Sequence, residues 1–409
     1  MVMAEALQII EPEGGFGQDR VPDGYKLTEV GVIPKDWKTI KLGEVCDFQN
    51  GVNADAKSYG KGIRFANVLE VLTLSHLTSS DVPGLVTLRP NQLKTYLVKR
   101  GDILFNRTSE TLEEIALASV YLDEEPIVFG GFVIRGRPKA PIFDPSYCGY
   151  AWRAAGVRSQ IIAKGQGAVR ANIGQSDLRT IVVPMPPKEE QEAIAEALSD
   201  QDALISNLEQ LIEKKRAIKQ GAMQELLSCE RRLPGFDDEW KTTPIGECLT
   251  ICHGRSQKNV QADNGAYPIL ASGGQIGSAN HFLYDKPSVL IGRKGTIDRP
   301  QYVDRPFWTV DTLFYSQMNG ANCAMFFYYV FQLIDWYRYN EASGVPSLNA
   351  QTIEKIEIKI PKPDEQIAIV KVLSELDDEI DALVARHSKA RQIKTGMMES
   401  LLTGKVRLA

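Results

Sequence analysis

The chain repeats itself. Slid by 175 positions, Ile173–Leu233 lies over Leu348–Leu408 without a gap, and 21 of 61 positions are identical. Unrelated sequences of ordinary composition would match at about four. The identities include Glu190-Gln191 with Glu365-Gln366, Leu198-Ser199 with Leu373-Ser374, and Leu226-Leu227 with Leu401-Leu402. Looser echoes carry other offsets. Trp37 to Glu44 aligns with Trp240 to Glu247 at 203, and Asp102 to Arg107 aligns with Ser288 to Arg293 at 186. The order is therefore variable block, shared block, variable block, shared block. Free drift after a duplication would erode both kinds of block alike. The pattern favours a shared scaffold carrying two blocks selected to differ.

Each shared block opens on a β-branched run, Thr180-Ile-Val-Val and Ile356-Glu-Ile-Lys-Ile, which reads as a strand. Prolines close it, at 184, 186 and 187 and again at 361 and 363, and acidic residues follow at once. Proline with carboxylates in the first turn marks a helix N-terminus, where the missing N–H is harmless and negative charge faces the positive end of the dipole. The spacing predicts a helix from about Lys188 to Ser228, roughly 60 Å long. Its apolar residues step by three and four through Ile194, Leu198, Ile205, Leu208 and Ile212. The second copy steps through Ile369, Leu373, Leu376, Ile380 and Leu383. That is a narrow coiled-coil seam, which one helix cannot bury alone. The two helices are expected to pair, most simply antiparallel about a pseudo-twofold; a parallel pairing is also compatible with the sequence. The methionines and leucines closing both helices fit either core or a partner-docking surface. The expected class is α+β: two globular α/β domains, at 20–184 and 233–360, alternating with long helices at 185–232 and 361–409. Residues 1–19 carry four acids and no Lys or Arg, and read as a disordered acidic tail.

Net charge is -5, but it is uneven. Residues 20–180 are net +4, and residues 235–350 are net -2. A local basic surface, not a basic total, is what phosphate binding requires. Glycine-punctuated polar loops supply candidates. In the first block these are Lys57, Tyr59, Lys61 and Arg64; Asn106, Arg107, Thr108 and Ser109; and Lys164, Arg170 and Asn172. In the second they are Arg255, Gln257 and Lys258; Ser272 and Gln275; Arg293, Lys294 and Thr296; and Ser343. Such side chains read base edges or hold phosphates, although any single one could equally be a solvated turn residue. Elsewhere, Val128-Phe-Gly-Gly-Phe-Val-Ile-Arg reads as a strand pair or a bulged strand around two glycines, and Met325 to Ile334 as a buried helix rather than an aromatic stacking platform.

Catalytic motifs are missing. Gly404-Lys405 is followed by valine, so no phosphate-binding loop forms there, and no Asp/Asn-Pro-Pro-aromatic motif occurs. Cys248, Cys252 and His253 lack a second ligand pair, so buried thiols are expected and no metal is assigned. Glu357 and Lys359 fit the tail of a nuclease signature, but the other copy does not keep it. Six scattered cysteines, no apolar leader and no long apolar segment fit a reducing cytoplasm without a membrane span.

From about residue 24 to its end the chain resembles the specificity subunit of a type I restriction-modification system. The segments carrying the resemblance are Gly24 to Trp37, Leu42-Gly-Glu, Gly101-Asp-Ile-Leu, and Pro186 to Ile194. In the second half they are Trp240, Ile245-Gly-Glu, and Pro363 to Ile369. The resemblance implies two target-recognition domains, each reading half of a split sequence in double-stranded DNA, with two long helices setting the gap. It implies docking of two methyltransferase subunits, which carry S-adenosylmethionine, and of restriction subunits through that core. It implies no cofactor and no catalysis in this chain. A coiled-coil adaptor without a DNA role is the competing reading.

Overall fold

The computed structural model describes residues 21–167 and 170–408, so the acidic segment 1–19 lies outside the described residues. Two compact units form. Unit 1 joins the chain up to Asn207 with His387 onward, and unit 2 is Leu208–Arg386. Two long helices, α1 (Lys188–Leu227) and α2 (Pro363–Leu401), run where the proline–acid signals placed them. Both end in a left-handed residue, Cys229 at φ 67° and Gly404 at φ 68°. There the Arg231 N–H donates to the Glu225 carbonyl, and the Val406 N–H to that of Ser400. These wrapped turns satisfy the last carbonyls of each helix.

The helices run antiparallel within each unit. In unit 1 the first half of α1 meets the last turns of α2: Gln201 Nε2 donates to the Ala390 carbonyl (2.8 Å), and Lys394 pairs with Asp202 (2.5 Å). In unit 2 the end of α1 meets the start of α2. Lys215 pairs there with Glu379 and Lys219 with Asp377, both at 2.5 Å. Along the predicted seam, Leu208, Ile212 and Ile380 are buried, while Ile205, Leu376 and Leu383 are half-buried. Ile194 and Leu198 enter the globular core of unit 1 with Trp37, Tyr147 and Tyr150. Ile369 and Leu373 do the same in unit 2 with Trp240, Phe326 and Tyr329. The residues closing the helices are core: Met223, Leu226 and Leu227 belong to the unit 2 cluster, and Leu401 and Leu402 to that of unit 1. Their burial rules out the docking alternative for those side chains.

Around the helices each unit builds the same frame. The strand before α1, Val182–Met185, pairs antiparallel with Lys38–Lys41; the strand before α2, Glu357–Ile360, pairs with Lys241–Pro244. A five-stranded sheet in unit 1 runs in the order Cys46–Asn50, Val133–Pro138, Ile103–Asn106, Ala118–Tyr121, His76–Leu77. The four-stranded sheet of unit 2 runs Leu249–His253, Leu313–Met318, Ser288–Gly292, Gln301–Val303. Register confirms the correspondence: Arg135 lies opposite Leu104, and Tyr315 opposite Leu290. Each unit adds a three-stranded sheet, and unit 2 buries the apolar helix Ala324–Leu333.

The frame is held by a repeated polar knot. In unit 1 buried Glu190 accepts from Trp37 Nε1 (2.8 Å) and from Arg407 Nε and Nη2 (2.6 and 2.9 Å). In unit 2 buried Glu365 accepts from Trp240 Nε1 (3.1 Å) and from Arg232 Nε and Nη2 (2.7 and 2.9 Å). The arginine after α1 thus docks on the start of α2, and the arginine after α2 on the start of α1. Next to each knot a tyrosine hydroxyl donates to a helix aspartate, Tyr150 to Asp202 (2.9 Å) and Tyr329 to Asp377 (2.8 Å).

Candidate nucleic-acid interface

In unit 1 two of the candidate loops converge. Thr108–Ser109 pairs with Ala171–Asn172 as a short antiparallel ladder, and Thr108 Oγ1 donates to Asn172 Oδ1 (2.8 Å). The Ile173 N–H donates to the Arg107 carbonyl, and the Arg107 N–H to that of Phe132. Arg107, Arg170 and Asn172 are exposed at this junction. A cleft beside it is lined by Val68, Leu72, Thr108, Glu110, Phe132 and Arg170. Lys164 lies half-buried on the same segment as Arg170.

Asn106 and Ser109 do not face outward. Asn106 is fully buried; its amide donates to the Glu114 carbonyl and accepts from the Thr108 N–H. Ser109 is buried and donates to Glu114 Oε2 (3.0 Å). Both shape the loop that presents Arg107. Beneath it, buried Arg158 donates to the carbonyls of Glu113 and Ile115, and burial pulls its guanidinium down to about 10. Nothing in the chain marks Arg158 as buried, because an arginine on a short helix reads as solvent-facing.

Lys57, Tyr59, Lys61 and Arg64 lie on or next to the strand Tyr59–Ala66 of the three-stranded sheet. Lys57 and Lys61 are exposed. The Tyr59 hydroxyl accepts from the Ala54 N–H, and Arg64 is half-occupied by the Val82 carbonyl (2.9 Å). This segment reaches the first group through Val128–Phe129, which pairs with Phe65–Ala66 and leads into the Gly130-Gly131-Phe132 turn. Phe132 stands 60% exposed there. It joins the candidate surface although its place in an apolar run suggests an ordinary strand position. A further basic cleft gathers Lys99, Arg100, Lys139 and Lys188, also unflagged by the sequence.

Unit 2 repeats the junction. The Arg293 N–H donates to the Thr312 carbonyl, and the Leu348 N–H to that of Arg293. Lys294 bridges to Ser347, and the Gly295 N–H donates to Pro346. A Cβ on Gly295 would stand 3.5 Å from Ser272 Oγ, so the loops of Ser272 and Thr296 meet here. Arg293 is half-buried and donates to the Asp311 carbonyl (3.2 Å), whereas Lys294 and Ser343 are exposed. Arg255 joins through its N–H to the Thr309 carbonyl. Gln275 sits at the tip of the strand Gly274–Ala279. Gln257 and Lys258 lie in a turn whose end pairs with that strand through Gln261 and Ala279.

Glycine is required at the base of both junctions. A Cβ on Gly51 would come within 1.9 Å of the Gly130 carbonyl oxygen, and one on Gly254 within 2.0 Å of that of Val310. The resulting surfaces offer guanidinium, ammonium, amide and hydroxyl groups on short rigid loops, a set suited to phosphates and base edges. Among the described residues no three His, Cys, Asp or Glu side chains gather as a metal site. No helix there is long and apolar enough to cross a membrane.

A family model described as the type I restriction modification DNA specificity domain matches residues 34–218 and again 237–390. The putative type I restriction enzyme MjaX specificity subunit of Methanocaldococcus jannaschii is 24% identical, over 94% of this chain and 97% of its own. The MjaVIII specificity subunit of the same organism is 21% identical, over 92% and 94%. The crystal structure of a type I restriction-modification S subunit from M. genitalium superposes with a TM-score of 0.61. Its identity is 18%, and the match covers 96% of this chain and 99% of that one. A chain from a structure addressing complex assembly and conformational transition of the type I R-M system gives a TM-score of 0.56 at 15% identity, covering 91% and 99%.

Proposed function

Because this chain belongs to the type I restriction-modification DNA specificity family, we propose that it reads a bipartite target in double-stranded DNA. Residues 20–184 take one half of the target and residues 233–360 the other. The helical segments 185–232 and 361–409 serve as the assembly scaffold for two methyltransferase subunits, with restriction subunits joining through them. S-adenosylmethionine belongs to the methyltransferase partner, and this chain works without catalysis, in the cytoplasm. The observation that carries the reading is the doubled junction. Arg107 and Arg293 occupy equivalent loops, each fixed by the same two backbone hydrogen bonds, while the residues around them differ between the units. A fixed mount with variable contents is what reading two different half-sites requires.

Exchanging residues 20–180 for the same block of a related subunit is expected to change one half of the methylated sequence and leave the other. A change in both halves, or in neither, rules out modular reading. At single-residue scale, Arg107→Ala is expected to weaken specific binding by about 1–3 kcal/mol if it grips a guanine edge. Equal loss on specific and random DNA assigns it to a phosphate instead. Retention that does not vary with salt speaks for the adaptor reading.

A further inference from the structure

Phe132 runs against the usual sorting of side chains: its ring stands 60% exposed beside the exposed polar residues Arg107 and Arg170. Its place is fixed. The pairing of Val133 with Asn106 carries on by one position, where the Phe132 carbonyl accepts the Arg107 N–H, so the two residues lie across from each other. Side chains opposite one another in an antiparallel pair leave the same face about 5 Å apart. One of this pair is a ring without polar atoms. The other is an exposed guanidinium that no carboxylate or carbonyl engages among the described residues. Val68 and Leu72, on the helix Val68–Thr73, line the cleft together with Phe132.

That cleft is a poor seat for a phosphate chain. The carboxylates of Glu110 and Glu114 outnumber the one cation on its wall, Arg170, and the ring offers an anion nothing. Base edges suit it better. In the major groove guanine presents two acceptors that a guanidinium grips, and thymine presents a 5-methyl group that takes apolar contact from an aromatic ring. Adjacent base pairs are about 3.4 Å apart along a strand, within reach of two tips about 5 Å apart. Unit 2 places half-buried Thr312 where unit 1 has Phe132, with its carbonyl on the Arg293 N–H. At this position the ring belongs to unit 1 alone.

We propose that Arg107 and Phe132 together read one step of the target, a G·C pair beside an A·T pair, with the guanidinium on the guanine and the ring on the thymine methyl. The proposal rests on the reading above that this chain binds a split DNA target, and it adds two bases to the half read by unit 1.

The test uses the full chain with its methyltransferase partner and duplexes carrying the methylated target. Uracil replaces thymine in one half at a time, which removes the methyl and keeps the base pairing. In the half that follows residues 20–180, uracil is expected to weaken binding about fourfold, the worth of one buried methyl. Phe132→Ala should bind the thymine duplex more weakly than the unaltered chain and no longer distinguish it from the uracil duplex. Phe132→Leu, which keeps an apolar tip, should retain part of the discrimination. Phe132→Ala removes only an exposed ring, so the melting temperature should hold. If that half lacks a G·C pair beside an A·T pair, or if uracil there costs nothing, the proposal fails and the reading of a split target stands. If Phe132→Ala weakens binding but keeps the discrimination, the ring touches a partner subunit or wedges between bases, and the proposal fails again. If the unaltered chain prefers its target no more than random DNA, both fall.

Discussion

Replacing Glu190 with alanine is expected to destabilise unit 1 by about 3–5 kcal/mol, as losing one partner of a buried pair does. For a unit of this size that is a fall in melting temperature of roughly 10 °C. The carboxylate is 5% exposed and accepts from both Trp37 and Arg407. Arg407 is held charged, its guanidinium raised by the hydrogen bonds to Glu190 and then to Asp36. Removing Glu190 orphans a buried indole N–H and strips the arginine of its closest partner. Glu190→Gln should lose less, because the amide oxygen can still accept from Trp37. Glu365→Ala should do in unit 2 what Glu190→Ala does in unit 1. Denaturant unfolding followed by tryptophan fluorescence measures both. A loss below about 1 kcal/mol would place the knot with ordinary surface pairs.

The second large effect is expected at Asp102, 2% exposed under the central sheet of unit 1. It accepts from Arg137 Nε and Nη2 (2.8 and 2.6 Å) and from the Lys99 N–H (2.8 Å), with Arg135 4.0 Å away. Its hydrogen bonds raise the Arg137 guanidinium; burial, then the charge of Arg137, lowers that of Arg135. Asp102→Ala leaves two crowded cations without their anion, and a loss of about 3–5 kcal/mol is expected. Unit 2 solves the same position without charge. Ser288, the counterpart of Asp102, donates to the Ser316 carbonyl (2.7 Å), and Tyr315 and Gln317 replace the arginines. The triple variant Asp102→Ser, Arg135→Tyr, Arg137→Gln should therefore recover more than half of the loss. Buried charge can be exchanged for a neutral, satisfied set, but not halved. If the triple variant is no more stable than Asp102→Ala, the two frames are not interchangeable at this point.

Much of the frame could be read from the chain. Proline followed by carboxylates marked both helix starts, and the first helix begins at Lys188 as expected, because a helix N-terminus has a local chemical signature. Strands do flank Gly130-Gly131, but Val128–Phe129 and Val133–Pro138 belong to different sheets, and the apolar run 325–334 is helical over Ala324–Leu333. The interface was less so. Arg107 and Arg293 were legible as polar loop residues, but Asn106 and Ser109, from the same loop, turned inward. Composition cannot distinguish a side chain that offers its hydrogen bonds to a ligand from one that uses them on its own turn. Phe132 and Arg158 were missed for the converse reason: an exposed aromatic and a buried cation run against the usual sorting.

The sequence by itself determined that there are two like frames, two long helices and a seam on each, since repetition and period are properties of neighbouring residues. It left the direction of pairing open, and it left the closing methionines and leucines undecided between core and surface. The tertiary structure decided both. Arg407 reaches Glu190, and Arg232 reaches Glu365, across 217 and 133 positions of chain. A pattern along the chain shows which face of a helix is apolar. Which element covers that face depends on contacts between residues far apart, and these exist only once the chain has folded.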